Sequence, residues 1–228
     1  MGNFKMRGKQ YKSKLDPKSA SEGIRLAKEN ADSLVKDAQL LFDNNRYERS
    51  VTLSILAIEE AGKASIIRSI LITEDKKELN DNWKRYRKHT EKNLAWIMPE
   101  LFVKGARKID DLRPLYDKGN THGRTLDFLK QLSFYTDIFS SKKWSSPAKV
   151  IDKELAEQIL KSAQILAKKH PAGIDSEEGL KLWVKHLKPV QKQNMAKMKQ
   201  AIVNCYNEAE ELGIIAKGKT DEMINFAL

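Results

Sequence analysis

The chain has 228 residues, 42 Lys and Arg against 31 Asp and Glu, a net charge of +11 and 40% hydrophobic residues. A chain of this length buries roughly 70% of its unfolded surface, enough for one substantial core, and 11 Gly with 6 Pro argue against a many-turned β sandwich or barrel. The single cysteine, Cys205, excludes an intrachain disulfide and a cysteine-only metal cage.

Residues 1–15 read as a basic flexible arm, with Lys5, Arg7, Lys9, Lys12 and Lys14 and no acid. No apolar stretch follows that would make the arm a secretory signal, so a reducing cytoplasm is the expected compartment. Asp16-Pro17 pairs an N-cap with proline at the first helical position. Ile24, Ala27, Ala31, Leu34, Ala38 and Leu41 then recur at spacings of three and four, which predicts a long amphipathic helix to about Asp43. Asn44-Asn45 ends it. A second helix is predicted from about Tyr47 to Ile72. Its apolar stretch is long enough to cross a bilayer, but it carries Glu59, Glu60, Lys63 and Arg68. Charged residues such as Lys, Arg or Asp cost about 2.5–3.5 kcal/mol each near a membrane centre. The segment is therefore a core helix, and no membrane partner is expected.

Asp75 starts a third helix, predicted to run through Trp83, Tyr86, Asn93, Leu94 and Ile97 to about Pro99. A short helix over Ala106–Tyr116, a loop over Lys118–Gly123, a helix over Thr125–Phe139 and a loop over Ser140–Pro147 follow. Asp152 caps a further helix through Leu155, Ile159 and Leu166, stopped by His170-Pro171-Ala172-Gly173. From Ser176 come a short helix and a longer one from about Val190 to Leu212 with Gly213 beyond it, then a loosely attached tail. The fold class is all-α: a helical bundle over residues 16–172 with a basic helical C-terminal extension over 173–228.

The second helix carries the most specific signal. On a 100° helical step, Glu59 projects between Ile66 and Ile70, Lys63 between Ile70 and Leu56, and Glu60 between Ile67 and Leu53. Two carboxylates and an ammonium thus lie inside an apolar arc. Buried ions cost several kcal/mol each without partners, and the i, i+4 order of Glu59 and Lys63 contributes only about 0.2–0.5 kcal/mol. Other helices must supply partners, or the arc faces a cleft or a subunit interface.

On the third helix the same step places His89 at the edge of the apolar side, between Trp96 and Asn82, with Arg85 and Lys92 just beyond it and Asn93 just inside. One face then gathers a proton-transfer group and two cations. That suits phosphodiester chemistry: histidine takes the 2′-hydroxyl proton, and arginine or lysine holds the charge on phosphorus. Basic segments at 1–14, 76–92 and 181–199 suit a polyanion such as RNA. There is no P-loop, dinucleotide glycine fingerprint or HExxH zinc helix, and neither a metal nor another cofactor is expected.

The run AIEEAGKA (Ala57–Ala64), then Arg85, His89 and Lys92 as RxxxHxxK, then FYTD (Phe134–Asp137) and WSSP (Trp144–Pro147), resembles the AbiV family of bacterial abortive infection proteins over roughly residues 20–170. The resemblance implies a HEPN-like helical bundle, usually dimeric, in a superfamily where many members are metal-independent ribonucleases or toxins. It implies a phage-defence role in which translation is shut down after infection. HEPN ribonucleases generally carry Arg, four to six residues, then His, whereas three residues separate Arg85 from His89. On this reading the catalytic set is His89, Arg85, Lys92, Glu59, Glu60 and Lys63, with Asn82, Asn93, Tyr135 and Asp137 as further RNA contacts. The expected partners are a second copy of the chain, RNA or the translation machinery, and a phage-encoded trigger protein. The alternative is a non-enzymatic helical dimer that binds a phage protein or the translation machinery.

Overall fold

Asp16 accepts a hydrogen bond from the Ser19 backbone amide (2.9 Å), and with Pro17 behind it α1 (Pro17–Asp43) begins where the sequence places it. The structure, a computed structural model, describes residues 10–93, 104, 121–138, 143–168 and 173–225. α1 buries Ala20, Ile24, Ala27, Ala31 and Ala38, a seam of mostly small side chains that lets α2 (Tyr47–Ile72) approach closely along its length. The turn between them holds Asn45 at φ 59°, a left-handed conformation that asparagine tolerates better than most residues.

α2 is the central element. One end packs Val51, Ile55 and Ile58 against α5 (His122–Phe134) and α7 (Lys153–Ala167), through Leu126, Ala156, Ile159 and Ala163. The other end packs Ile66 and Ile70 against Leu79 and Trp83 of α3 (Lys76–Arg87). A helix apolar on nearly every side must be enclosed by others, and this is how the bundle encloses it.

The third helix differs from expectation. At Lys88 the backbone turns extended (φ −90°, ψ 124°), and a separate one-turn helix, α4 (His89–Lys92), follows. Leu94, Trp96, Ile97, Pro99 and the short helix expected over Ala106–Tyr116 lie outside the described residues, as do 118–120 of the following loop. α5 ends at Phe134, short of Phe139, because Tyr135 is extended (φ −113°, ψ 147°). The chain then forms a minimal antiparallel pair, β1 (Asp137–Ile138) with β2 (Trp144–Ser145), with Asp137 opposite Ser145. Part of the expected loop is therefore strand, and one turn of helix, α6 (Pro147–Val150), precedes α7.

The C-terminal extension builds a second core. Ile174, Leu182, Leu187, Ala201, Cys205, Ala209 and Ile215 pack together with Ile72 at the end of α2. Its helices are α8 (Glu177–Leu187) and α9 (Met195–Glu211); the latter begins at its Asn194 cap and not at Val190, which sits in a 3₁₀ turn. The tail is not loose throughout: α10 (Lys219–Asn225) follows, Ile215 and Thr220 are buried, and the Thr220 amide donates to Glu210 (2.5 Å). The junction is ionic. The buried Asp175 carboxylate receives Lys28 of α1 and Arg68 of α2, Ser21 donates to its carbonyl (2.7 Å), and Arg68 lies over the Trp183 ring.

Candidate functional site

Two glycines fix the place of α4. A Cβ on Gly62 of α2 would lie 2.0 Å from the Lys92 carbonyl oxygen, and one on Gly123 of α5 would lie 2.5 Å from that of Thr90. α4 is therefore seated between α2 and α5 at distances no other residue permits. The glycine of the AIEEAGKA run thus has a physical role: it lets the backbone that carries His89 and Lys92 come down onto the helix that carries Glu59.

Glu59 is the centre of the cluster, with its side chain 2% exposed. Its Oε1 accepts from Lys130 Nζ at 2.6 Å, its Oε2 lies 2.5 Å from His89 Nδ1, and Lys92 Nζ approaches Oε2 at 3.7 Å. Lys130 also reaches Asp127 at 2.9 Å. The carboxylate is thus desolvated but compensated, the condition under which a buried charge is tolerated. Burial opposes the Lys130 ammonium, yet its hydrogen bonds to Glu59 and Asp127 outweigh burial and hold its pKa above the ordinary lysine value. Lys92 goes the other way: burial lowers its pKa, and the attraction of Glu59 offsets this only in part.

The imidazole differs from its neighbours in exposure. The His89 side chain is 56% exposed, although its Nδ1 is held by a buried carboxylate. With Glu59 ionised, Nδ1 carries the proton of that bond, and in the neutral ring Nε2 keeps its lone pair. A carboxylate that fixes tautomer and orientation behind an accessible imidazole is the arrangement of a general base.

Several expected residues lie elsewhere. Lys63 pairs with Glu60 (2.6 Å) and not with Glu59, and it also sits over the Tyr86 ring. Because the helix breaks at Lys88, Arg85 does not share a helical face with His89; it binds Asn82 (3.1 Å) and approaches Glu91 (3.7 Å). Asn82 is buried and donates to Thr73 (3.0 Å), joining α3 to the end of α2. Asn93 is fully buried beside Lys92, and neither polar atom of its side chain has a hydrogen-bond partner among the described residues. Tyr135 and Asp137 are exposed on the β1 hairpin; Tyr135 stacks edge-on against Phe134, and Asp137 accepts from the Ile138 amide (2.7 Å). No ion pair or hydrogen bond among the described residues joins either one to Glu59 or His89.

The residue missed by sequence reasoning is Lys130. Its signal is present: Leu126, Lys130 and Ser133 recur at four and three, so the lysine shares the buried face of α5, and the Ser133 hydroxyl meets Thr52 of α2 at 2.8 Å. Among the described residues no group of three or more His, Cys, Asp or Glu is gathered as for a metal ion, and no helix is long and apolar enough to cross a membrane.

The HEPN AbiV family model, described as AbiV, matches residues 19–168, a span that runs from α1 to the end of α7 and holds Glu59, His89, Lys92 and Lys130. No curated protein and no solved structure matches the chain.

Proposed function

From the premise that the chain belongs to the AbiV family of abortive-infection-related HEPN proteins, we propose that it is a phage-defence effector that cleaves RNA without a metal and thereby shuts down translation. The observation that carries this reading is the 2.5 Å contact between buried Glu59 and the exposed His89 imidazole. In the proposed step His89 Nε2 takes the proton of a ribose 2′-hydroxyl. The 2′-oxygen forms a bond to phosphorus, the bond from phosphorus to the 5′-oxygen breaks, and that oxygen takes a proton from solvent. Lys92 and Lys130 act on the carboxylate and not on the RNA, so Glu59 and the two lysines are positioning residues. Arg85, four positions before His89 and across the helix break, is placed with Asn82 and Glu91, and the proposal gives it no catalytic role.

The test is inducible expression of the parent chain and of His89→Ala, with growth, translation and RNA integrity followed, and cleavage by the purified proteins assayed in a chelator. A positioned general base contributes about 10²–10⁴-fold, and cleavage and growth arrest should fall by that order in His89→Ala. Unchanged cleavage and toxicity overturn the proposal.

A second reading, a non-enzymatic dimer, is favoured by one observation. Phe134, Tyr135, Ile138 and Trp144 are exposed together on the β1–β2 hairpin and its approach, and Trp144 is 70% exposed. On that reading a second copy covers the hairpin, Trp144→Ala yields a monomer in sedimentation, and toxicity survives His89→Ala but not Trp144→Ala.

A further inference from the structure

Away from Glu59, residues 10–15 lie across α3 and form one wall of an open groove of about 600 Å³, lined by Lys12, Lys84, Arg87, Lys88 and Trp83. The wall is held in place. Trp83 Nε1 donates to the Ser13 carbonyl (3.0 Å), the Tyr11 ring meets the Trp83 ring edge-on at 5.9 Å, and Arg87 donates to the Tyr11 carbonyl (2.6 Å). Among the described residues, no acid lines the groove.

Arg87 is its fixed point. The guanidinium stacks over the Trp83 ring at 5.2 Å and gives one bond each to the carbonyls of Trp83 (3.0 Å) and Tyr11 (2.6 Å). Both acceptors are neutral, so the geometry is locked while the charge meets no carboxylate among the described residues. Two of its five donors are spent, and three remain. Lys12 likewise has no acidic partner among the described residues. Lys84 and Lys88 pair with Asp81 (2.8 Å) and Glu91 (3.1 Å), both i, i+3 pairs with exposed or half-exposed side chains, weak enough in water to be exchanged for a stronger anion. Four cations therefore face two weakly held carboxylates.

A pre-oriented planar guanidinium with spare donors, flanked by flexible ammonium groups, matches the oxygens of a phosphate group. We infer that this groove is a phosphate-binding site for the backbone of a single RNA strand, with Arg87 as the fixed contact and Lys12, Lys84 and Lys88 around it. The phosphate chemistry stands on the groove alone; naming RNA as its source rests on the reading of His89 above. RNA is favoured over an acidic protein because Lys88 lines the groove and His89, the proposed base, is the next residue in the chain.

The experiment titrates the full chain into a labelled twelve-residue oligouridylate at several salt concentrations, with inorganic phosphate and polyglutamate as competitors. Arg87→Gln and Lys12→Gln are each expected to weaken binding several-fold or more and to lower the salt slope by about 0.7 for each phosphate the variant no longer neutralises. Lys12 makes no side-chain bond to the fold among the described residues, so its replacement reports on binding even if Arg87→Gln disturbs the packing on Trp83. Inorganic phosphate should compete where polyglutamate does not. Parent-like binding by both groove variants overturns the inference, as does equal competition by polyglutamate. Groove variants that lose binding while His89→Ala still cleaves would leave the groove standing and remove the catalytic reading; the reverse pair of results would do the opposite.

Discussion

Two buried carboxylates, Glu59 and Asp175, organise two ionic clusters in this chain, and only one of them has the form of a working site. Asp175 is met by Lys28 and Arg68, whose side chains are themselves 16% and 19% exposed, and together they bind the extension to the bundle. Glu59 is met by two buried lysines and by a histidine open to solvent. Both clusters satisfy the same electrostatic need, since neither acid could be desolvated alone. The difference is that the ion-pair partners of Asp175 are a lysine and an arginine largely enclosed at the junction, while one partner of Glu59 is an imidazole open to solvent. A buried charge is therefore a poor marker of function; an exposed titratable group anchored to one is a better marker.

The largest effect should come from the closed cluster. Asp175→Asn leaves two cations facing each other across the junction, and breaking a buried pair in this way costs about 3–5 kcal/mol. Urea unfolding should show it, and the bundle and extension should come apart as one event if the second core depends on this contact. The loss should also depend on acid. Burial raises the Asp175 pKa, but Arg68 and Lys28 outweigh burial and hold it below the usual carboxylate value. A depressed folded pKa gives stability that is fully present above the unfolded value, about 3.9, and that fades as pH falls through the folded one. The gap between parent and variant should therefore be full at pH 7 and narrow below about pH 3.9. A gap unchanged at low pH would mean that the stability comes from packing and not from the ion pairs.

Gly62→Ala comes next and acts on the open cluster without touching a charge. Its Cβ would meet the Lys92 carbonyl at 2.0 Å, a backbone atom that can yield only if α4 moves. Overpacking of this kind costs about 1–3 kcal/mol. Because α4 carries His89, the proposed RNA cleavage should fall by more than the stability loss explains, at temperatures where the variant is fully folded. Cleavage at the parent rate would show that the seating of α4 does not control the imidazole.

The two clusters are unequally legible in the sequence. Helices α1 and α2 are readable to their ends because periodicity, an Asp-Pro start and an Asn-Asn stop all agree. The ions inside the apolar arc of α2 announce a buried network, and Glu59 is its centre. The break at Lys88 is not readable, since neither proline nor glycine marks it and KHTEK continues a helical pattern; tertiary seating against Gly62 and Gly123 overrides local propensity there. Arg85 leaves the expected face for that reason alone. Lys130 escapes notice because a lysine in a helix reads as solvated surface until the residues beside it are checked for burial. The Asp175 cluster joins residues more than 100 positions apart, and no periodicity within one element points to such a contact.

The smallest effect on the fold should come from the residue proposed to do the chemistry. His89→Gln removes an exposed ring, and Glu59 keeps Lys130 at 2.6 Å and Lys92 at 3.7 Å, so the buried acid stays compensated. Exposed substitutions away from buried networks usually shift stability by no more than about 0.5 kcal/mol, and because the glutamine amide can still donate to Glu59 the loss here should stay close to that range. Set beside Asp175→Asn, this makes a two-way contrast: one variant loses several kcal/mol of stability and, when folded, keeps its cleavage, while the other keeps its stability and loses cleavage. A structural histidine would behave differently, with unfolding free energy falling in step with activity. Urea unfolding of His89→Gln, run with its cleavage assay, separates the two. A loss of about 2 kcal/mol or more, well outside the surface range, would place His89 with Lys28 and Arg68 among the side chains that hold the fold together.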